Sequence, residues 1–345
     1  MTDRQRDSRA SGCHDAVLYA DDDLLIEAAA QHLRAGAERG QTLMLACAPQ
    51  RNRAIRDAVP ELPRIAMLGE SDAYLSCGET LEFYAEQVRQ AGDDGGAGLC
   101  VVGALPDRTY DVPRSWPRWS RYEAAVNHVF ADQPFDALCT YDTRRADPKL
   151  LRAVRQTHAH LYRDGATRVN PEYRDPAELL REWSAPPVLA AESERPVLEI
   201  RGIADQPAAE RAGQHLADVL SSMDTALQSY AGLLFPADPA LIEVDEYVLA
   251  VDAVLANAVR HGTDPVALRM WVDHDHVITT VTDSGAGFDD PFRGFTTASA
   301  SGVAHQHEGL WLARQFTDDL SFRHDPDGFT VRLRADLDVR SEALV

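Results

Sequence analysis

AVDAVLANAVRHG at residues 250–262, VITTVTDSGAGFDDP at 277–291 and EGLWLARQFTDDLSF at 308–322 decide how the C-terminal half is read. In the first stretch Val251, Leu255, Ala258 and Val259 recur at helical spacing and form an apolar face. Asn257 stands beside that stripe and His261 follows one turn later. The second stretch is a strand that ends in Asp283, Gly285 and Gly287, placing a carboxylate and two glycines where backbone can approach a ligand closely. The third opens a helix at Gly309 after the polar run 289–308. A run that long without regular structure in a compact domain acts as a lid or binding loop. A strand over 197–203, helices over 208–223 and 243–261, and strands over 266–272, 276–283 and 328–335 surround these segments, with DHDH turning a hairpin between the middle two. The expected architecture is an α+β sandwich, a mostly antiparallel sheet with helices on one face.

Moving outward, SAPPVLAAESERP at 184–196 holds three prolines and no periodic apolar face, so it reads as an interdomain linker. Before it, apolar runs at 16–20, 42–48, 64–68, 98–104 and 136–141 alternate with amphipathic stretches at 23–37, 78–91, 119–131 and 148–162. Strands that are apolar on both faces and separated by helices predict a parallel sheet with helices packed on it. The chain therefore reads as an α/β domain over 13–183, a linker, and the α+β domain over 197–337.

The 345 residues carry 34 Lys and Arg against 55 Asp and Glu, a net charge of −21 with neutral histidines. A field of that sign repels phosphate backbones and anionic lipid, which argues against direct nucleic-acid or membrane binding and favours a basic protein partner. The five cysteines, at 13, 47, 77, 100 and 139, are odd in number, lack CxxC spacing and sit mostly in apolar runs. They read as reduced, buried thiols of a reducing compartment. The opening MTDRQRDSRASG is polar, and no apolar stretch reaches the ~18 residues that span a bilayer, so a cytoplasmic chain is expected. The HxH pairs at 158/160, 274/276 and 305/307 have no Cys or carboxylate partner at a recognisable metal spacing, so no protein-held metal is read from them.

In order and spacing, the three quoted segments resemble the GHKL ATPases (gyrase, histidine kinase and MutL type), and within them the RsbW/SpoIIAB-like anti-sigma factors, over about 197–337. The resemblance implies a Bergerat-type sandwich that binds ATP with Mg²⁺. It makes Asn257 the magnesium-coordinating amide and Asp283 the acceptor of the adenine amino group. Gly285 and Gly287 stand beneath the nucleotide, while Gly309 and Leu310 correspond to the phosphate-binding helix start, and His261 and His307 flank the site. Two positions depart from the family pattern. Its kinases carry Glu four residues before the Asn, where this chain has Ala253; Asp252, one position earlier, is rotated by ~100° on the helix and is only a weak replacement base. His307 stands where the family has a second glycine.

HDAVLYADDDLL (14–25), WPRWSRYEAAVNHVF (116–130), DALCTYDTRR (136–145) and THAHLYRDGATRVNPEYRDP (157–176) resemble the MEDS sensory family, the methanogen, methylotroph and DcmR sensory domain. That implies a small-molecule sensor on an α/β core. GxxxxGK[ST] is absent from the sequence, so no phosphate cradle is read there. Candidate ligand contacts are His14, Tyr19, Asp21, Trp119, Glu123, Asn127, Tyr141, Asp142 and His158, with Glu123 and Asn127 lining one helix face and Tyr141 and Asp142 closing a strand.

Together these readings predict a signalling regulator in which a sensory domain controls an ATP-binding anti-sigma module. The partners implied are a sigma factor or a STAS-type anti-sigma antagonist, and homodimers are common in that branch. One rival is an active protein serine kinase that phosphorylates the antagonist. The other is a histidine-kinase-type output, for which no dimerisation helix pair with a phosphoacceptor His is evident just before residue 197.

Overall fold

The computed structural model describes residues 12–62, 64–69, 73, 76–111, 116–184, 188–232, 243–273, 275–296, 308–326 and 328–337. The chain divides into two compact units between Leu180 and Arg181.

Unit 1 runs β1 (His14–Tyr19), α1 (Asp22–Glu38), β2 (Thr42–Ala46), α2 (Pro49–Asp57), β3 (Ile65–Leu68), α3 (Cys77–Asp93), β4 (Leu99–Ala104), α4 (Asp107–Asp111), α5 (Trp116–Val129), β5 (Phe135–Asp142), α6 (Pro148–Thr157), β6 (His160–Arg163) and β7 (Ala166–Val169). α7 (Pro176–Trp183) spans the division between units. The sheet order is β3-β2-β4-β5-β1-β6-β7, parallel throughout except for the β6–β7 hairpin at its edge. Interior strands of such a sheet are covered on both faces, and all of LCVVGA in β4 is buried. Asp21 caps α1, and Leu25, Ala28, Ala29 and Leu33 of that helix pack with Val17 and Tyr19 of β1. Alternation along the strands sends His14 to the other face, together with Cys139 and Tyr141 of β5. α5 lies on that side, against α3 and α6, and is buried continuously from Trp119 to Val126.

Unit 2 contains a 3₁₀ turn (Ala190–Ser193), β8 (Leu198–Ile203), α8 (Gln206–Gly232), α9 (Val244–His261), β9 (Val266–Val272), β10 (His276–Asp283), α10 (Glu308–Gln315), β11 (Asp319–Asp325) and β12 (Gly328–Asp336). Its strands pair antiparallel in the order β11-β12-β10-β9-β8. One face of the sheet carries Leu268, Met270, Val281, Val331 and Leu333 against Leu216 of α8 and Val251, Val254 and Leu255 of α9. Residues of the opposite alternation form the other face. There the buried guanidinium of Arg332 lies 3.1 Å from Glu192 and 3.3 Å from Asp319. Glu192 comes from the stretch read as a linker, so that part of it packs on the sheet of unit 2.

The coarse expectation of a mostly parallel α/β sheet followed by an antiparallel sheet with helices holds. In detail, the helix expected over 148–162 stops at Thr157. His158 turns extended, its Nδ1 lies 2.8 Å from the Val154 carbonyl, and the following residues pair with β1, Leu161 opposite Ala16. Sheet pairing overrides helical periodicity here.

Candidate functional site

In unit 2, Asp283 closes β10 at the mouth of a cavity of about 420 Å³. The residue is 7% exposed, and its Oδ1 accepts two backbone N–H bonds, from Thr263 at 3.1 Å and Gly285 at 2.7 Å. A Cβ at position 285 would stand 2.6 Å from that oxygen, so glycine is what lets the amide come this close. Gly287 has φ +65°, and a Cβ there would fall 2.2 Å from the Phe329 ring. Both glycines shape the wall that holds the carboxylate. With Oδ1 taken by backbone donors, Oδ2 is the oxygen left to accept from a ligand.

Asn257, His261, Gly285, Gly287 and Arg293 line the same cavity, and Val254, Val281, Phe329 and Val331 supply its apolar surface. Apolar walls for a flat ring, one oriented carboxylate, and amide and cationic groups within one cavity form a site for a ligand that is part aromatic and part anionic. Arg293 falls inside the run read as a lid, where no sequence signal marks it. Its guanidinium lies 4.8 Å over the Phe288 ring, and its buried Nε has no hydrogen-bond partner among the described residues.

The remaining residues expected at this site have the following surroundings. Leu310 is 2% exposed and belongs to the core. Gly309 lies in the first turn of α10 beside α9, and a Cβ there would stand 3.0 Å from the Ala253 carbonyl, so glycine permits close helix packing. His307 lies outside the described residues. Asp252 points at α8: a Cβ on Gly213 would be 1.7 Å from its Oδ1. That oxygen is buried with no hydrogen bond among the described residues, and burial, with the charge of Glu210 adding, raises the carboxyl above its ordinary range.

In unit 1, four of the residues expected to contact a sensory ligand converge. Glu123 on α5 lies 3.0 Å from His14 Nε2 on β1 and 3.6 Å from His158 Nε2 after α6, both distances to its Oε2. Tyr141 donates to its Oε1 at 2.5 Å. Cys139, read from the sequence only as a buried thiol, completes the group with Sγ 3.3 Å from His14 Nε2 and 3.8 Å from Glu123 Oε2. Burial pushes Glu123 up, but the His14 hydrogen bond and the two imidazoles outweigh it and hold the carboxyl below its ordinary range. Burial, and then Glu123, drive the Cys139 thiol and Tyr141 phenol well upward. Burial and the neighbouring His14 lower His158 to about 4.

The other sensory candidates have local structural tasks. Asp21 caps α1 by accepting from the Asp23 amide at 3.1 Å. Asp142 is held by Arg144, 2.6 Å away, and the Arg144 guanidinium lies over the ring of buried Tyr19. Asn127 shares α5 with Glu123. Its amide donates to the Glu123 carbonyl at 3.0 Å and the Thr157 carbonyl at 2.8 Å, tying α5 to the end of α6. Trp119 packs edge-on against Tyr122.

Two family models match the chain. Residues 13–159 match MEDS, the MEthanogen/methylotroph, DcmR Sensory domain. Residues 217–335 match the histidine kinase-like ATPase domain, a span that includes Asn257, Asp283 and Gly309. No curated protein matches the chain. No helix among the described residues is long and apolar enough to cross a membrane.

Proposed function

We propose that the chain is a nucleotide-responsive regulator whose unit 2 binds ATP with Mg²⁺ and acts by engaging a protein partner. The observation that carries this reading is the fixed orientation of Asp283. Two backbone amides hold Oδ1, which leaves Oδ2 as the oxygen that would accept from an adenine amino group in the cavity Asp283 lines. Val254, Val281 and Phe329 can pack on the purine, and the Asn257 amide supplies the hard oxygen that magnesium takes as a ligand while keeping several waters. Arg293 in the same cavity can offset phosphate charge.

Bound ATP would supply a transferable phosphoryl group, yet neither position 252 nor position 253 offers it a general base. Such a base must come within ~3 Å of the proton it takes, or reach it through one water. Position 253 is alanine, and Asp252 faces Gly213 on α8. The module therefore acts by binding: nucleotide occupancy sets its affinity for a sigma factor or for the antagonist of one. The acidic chain suits the basic surfaces of a DNA-binding partner, chiefly by raising the association rate. Residues 13–159 provide the sensory input.

The test is titration calorimetry with ATP and Mg²⁺, followed by a sigma-factor pull-down with and without nucleotide. Intact-mass analysis of a candidate antagonist after incubation with ATP separates binding from kinase action. An unmodified antagonist supports the binding role, and a phosphorylated one makes the chain a serine kinase.

A further inference from the structure

We propose that His14, Glu123, Cys139 and His158 form a closed site for a divalent transition-metal ion, zinc foremost, inside unit 1. Their ligand-type atoms, two imidazole nitrogens, a carboxylate oxygen and a sulfur, all lie within 4.8 Å of one another. Four of the separations are 3.0, 3.3, 3.6 and 3.8 Å. Ligands of a tetrahedral ion bound at ~2.0–2.3 Å stand roughly 3.3–3.8 Å apart, so the observed spacing needs only small side-chain adjustments. Nitrogen, oxygen and sulfur donors in one set of four match zinc chemistry and differ from the all-oxygen sets that calcium and magnesium take.

The surrounding bonds orient the donors outward to one point. His158 places Nδ1 2.8 Å from the Val154 carbonyl. A carbonyl only accepts, so Nδ1 carries the proton and the neutral ring presents the Nε2 lone pair. That Nε2 is buried, lacks a hydrogen-bond partner among the described residues, and faces a carboxylate oxygen, which is also an acceptor. Two acceptors aimed at each other in a fully buried pocket are satisfied by a cation between them. Tyr141 holds the other Glu123 oxygen, and Asn127 fixes the helix end that carries His158. A partner on the far ring nitrogen and a hydrogen-bonded carboxylate are what metal-ligating His and Glu use to set their orientation.

A Cys–His–Glu nucleophilic triad is the rival for these residues, and the geometry opposes it. In a triad the histidine uses one ring nitrogen for the nucleophile and the other for the carboxylate. Here Cys139 and Glu123 both address Nε2 of His14, and its Nδ1 is buried without a partner among the described residues. His158 is 0% exposed, so a substrate has no approach from its side. Four protein ligands leave no open coordination position, which makes the role one of binding and cross-linking rather than catalysis. A metal there joins β1, α5, β5 and the end of α6. Binding it would expel the thiol proton, leaving thiolate and carboxylate to balance the dipositive ion.

The full chain, purified without chelators, should carry about one equivalent of metal by elemental mass spectrometry. After chelation and reloading, Co²⁺ should give tetrahedral ligand-field bands and a thiolate-to-cobalt charge-transfer band. Cys139→Ser keeps the size of the side chain and should lose the charge-transfer band, with circular dichroism unchanged. Glu123→Gln should weaken cobalt binding at least tenfold in competition with a chelator. Cobalt that gives no ligand-field bands with folded wild-type protein would overturn the assignment, as would a charge-transfer band that survives in Cys139→Ser. Neither outcome depends on nucleotide binding by unit 2.

Discussion

The carboxylates of Asp283 and Glu123 are both buried, but their neighbours give them opposite tasks. Asp283 is held through one oxygen by backbone amides, and the cavity beside it is open. Glu123 has both oxygens engaged by side chains drawn from other segments, including one 109 positions away by number, His14. A carboxylate fixed by backbone keeps a free acceptor for a ligand and can lose its charge with little harm to the fold. One fixed by imidazole, phenol and thiol in a closed pocket carries the local structure, and its loss leaves partners buried without compensation.

The largest effect that probes this contrast is Glu123→Ala. Removing one member of a buried charged network should destabilise unit 1 by about 3–5 kcal/mol, read from urea unfolding. A loss below about 1 kcal/mol would put Glu123 in the same class as Asp283. Next comes pH, measured on chelated protein. His158 is lowered to about 4 from an ordinary 6.5, so between those values the unfolded chain takes up a proton that the native state refuses. Stability of unit 1 should be level from pH 6.5 to about 8 and fall as pH drops toward 4, by on the order of 3 kcal/mol. His14, Glu123, Cys139 and Tyr141 face the ring, and His158→Gln should flatten the profile.

Asp283→Asn keeps an oxygen for the Thr263 and Gly285 amides but turns an N–H₂ toward the cavity. ATP affinity should drop roughly tenfold to a hundredfold, or about 1.5–3 kcal/mol, while unit 2 unfolds at nearly its original urea concentration. A large stability loss with affinity intact would invert the comparison. The smallest effect belongs to Asp252→Asn. Its carboxyl is raised by burial against α8, so neutralising it should leave ATP affinity unchanged and raise the melting temperature slightly. An affinity loss would return Asp252 to the nucleotide site.

The two sites also differ in how far they can be read from the chain. Asp283, Gly285 and Gly287 lie within five positions, and Asn257 and His261 are one turn apart on the preceding helix, so local spacing already places them together. His14, Glu123 and His158 belong to separate segments, and no local spacing links them. Their meeting point depends on β1 pairing with β5 and β6, which no local pattern encodes, and Cys139 looked like any apolar thiol. The same limit explains the missed elements. PQRNRAIRD in α2 buries only Asn52 and Ile55, too little for a visible apolar stripe. HLYR in β6 continues the apolar spacing of the helix before it, so no strand stands out there. β11 follows α10 so closely that DLSF read as part of the same segment, until pairing with β12 drew it into the sheet, Leu320 opposite Leu333.

The central claim is that Asp283 reads an adenine amino group. Calorimetric titration of the full chain with ATP and with GTP, each with Mg²⁺, tests it directly, because GTP presents a carbonyl where ATP presents that amino group. Saturable heat with ATP and at least tenfold weaker binding of GTP is the predicted result. Equal affinity for the two, or no heat with ATP at millimolar concentration, would contradict the account.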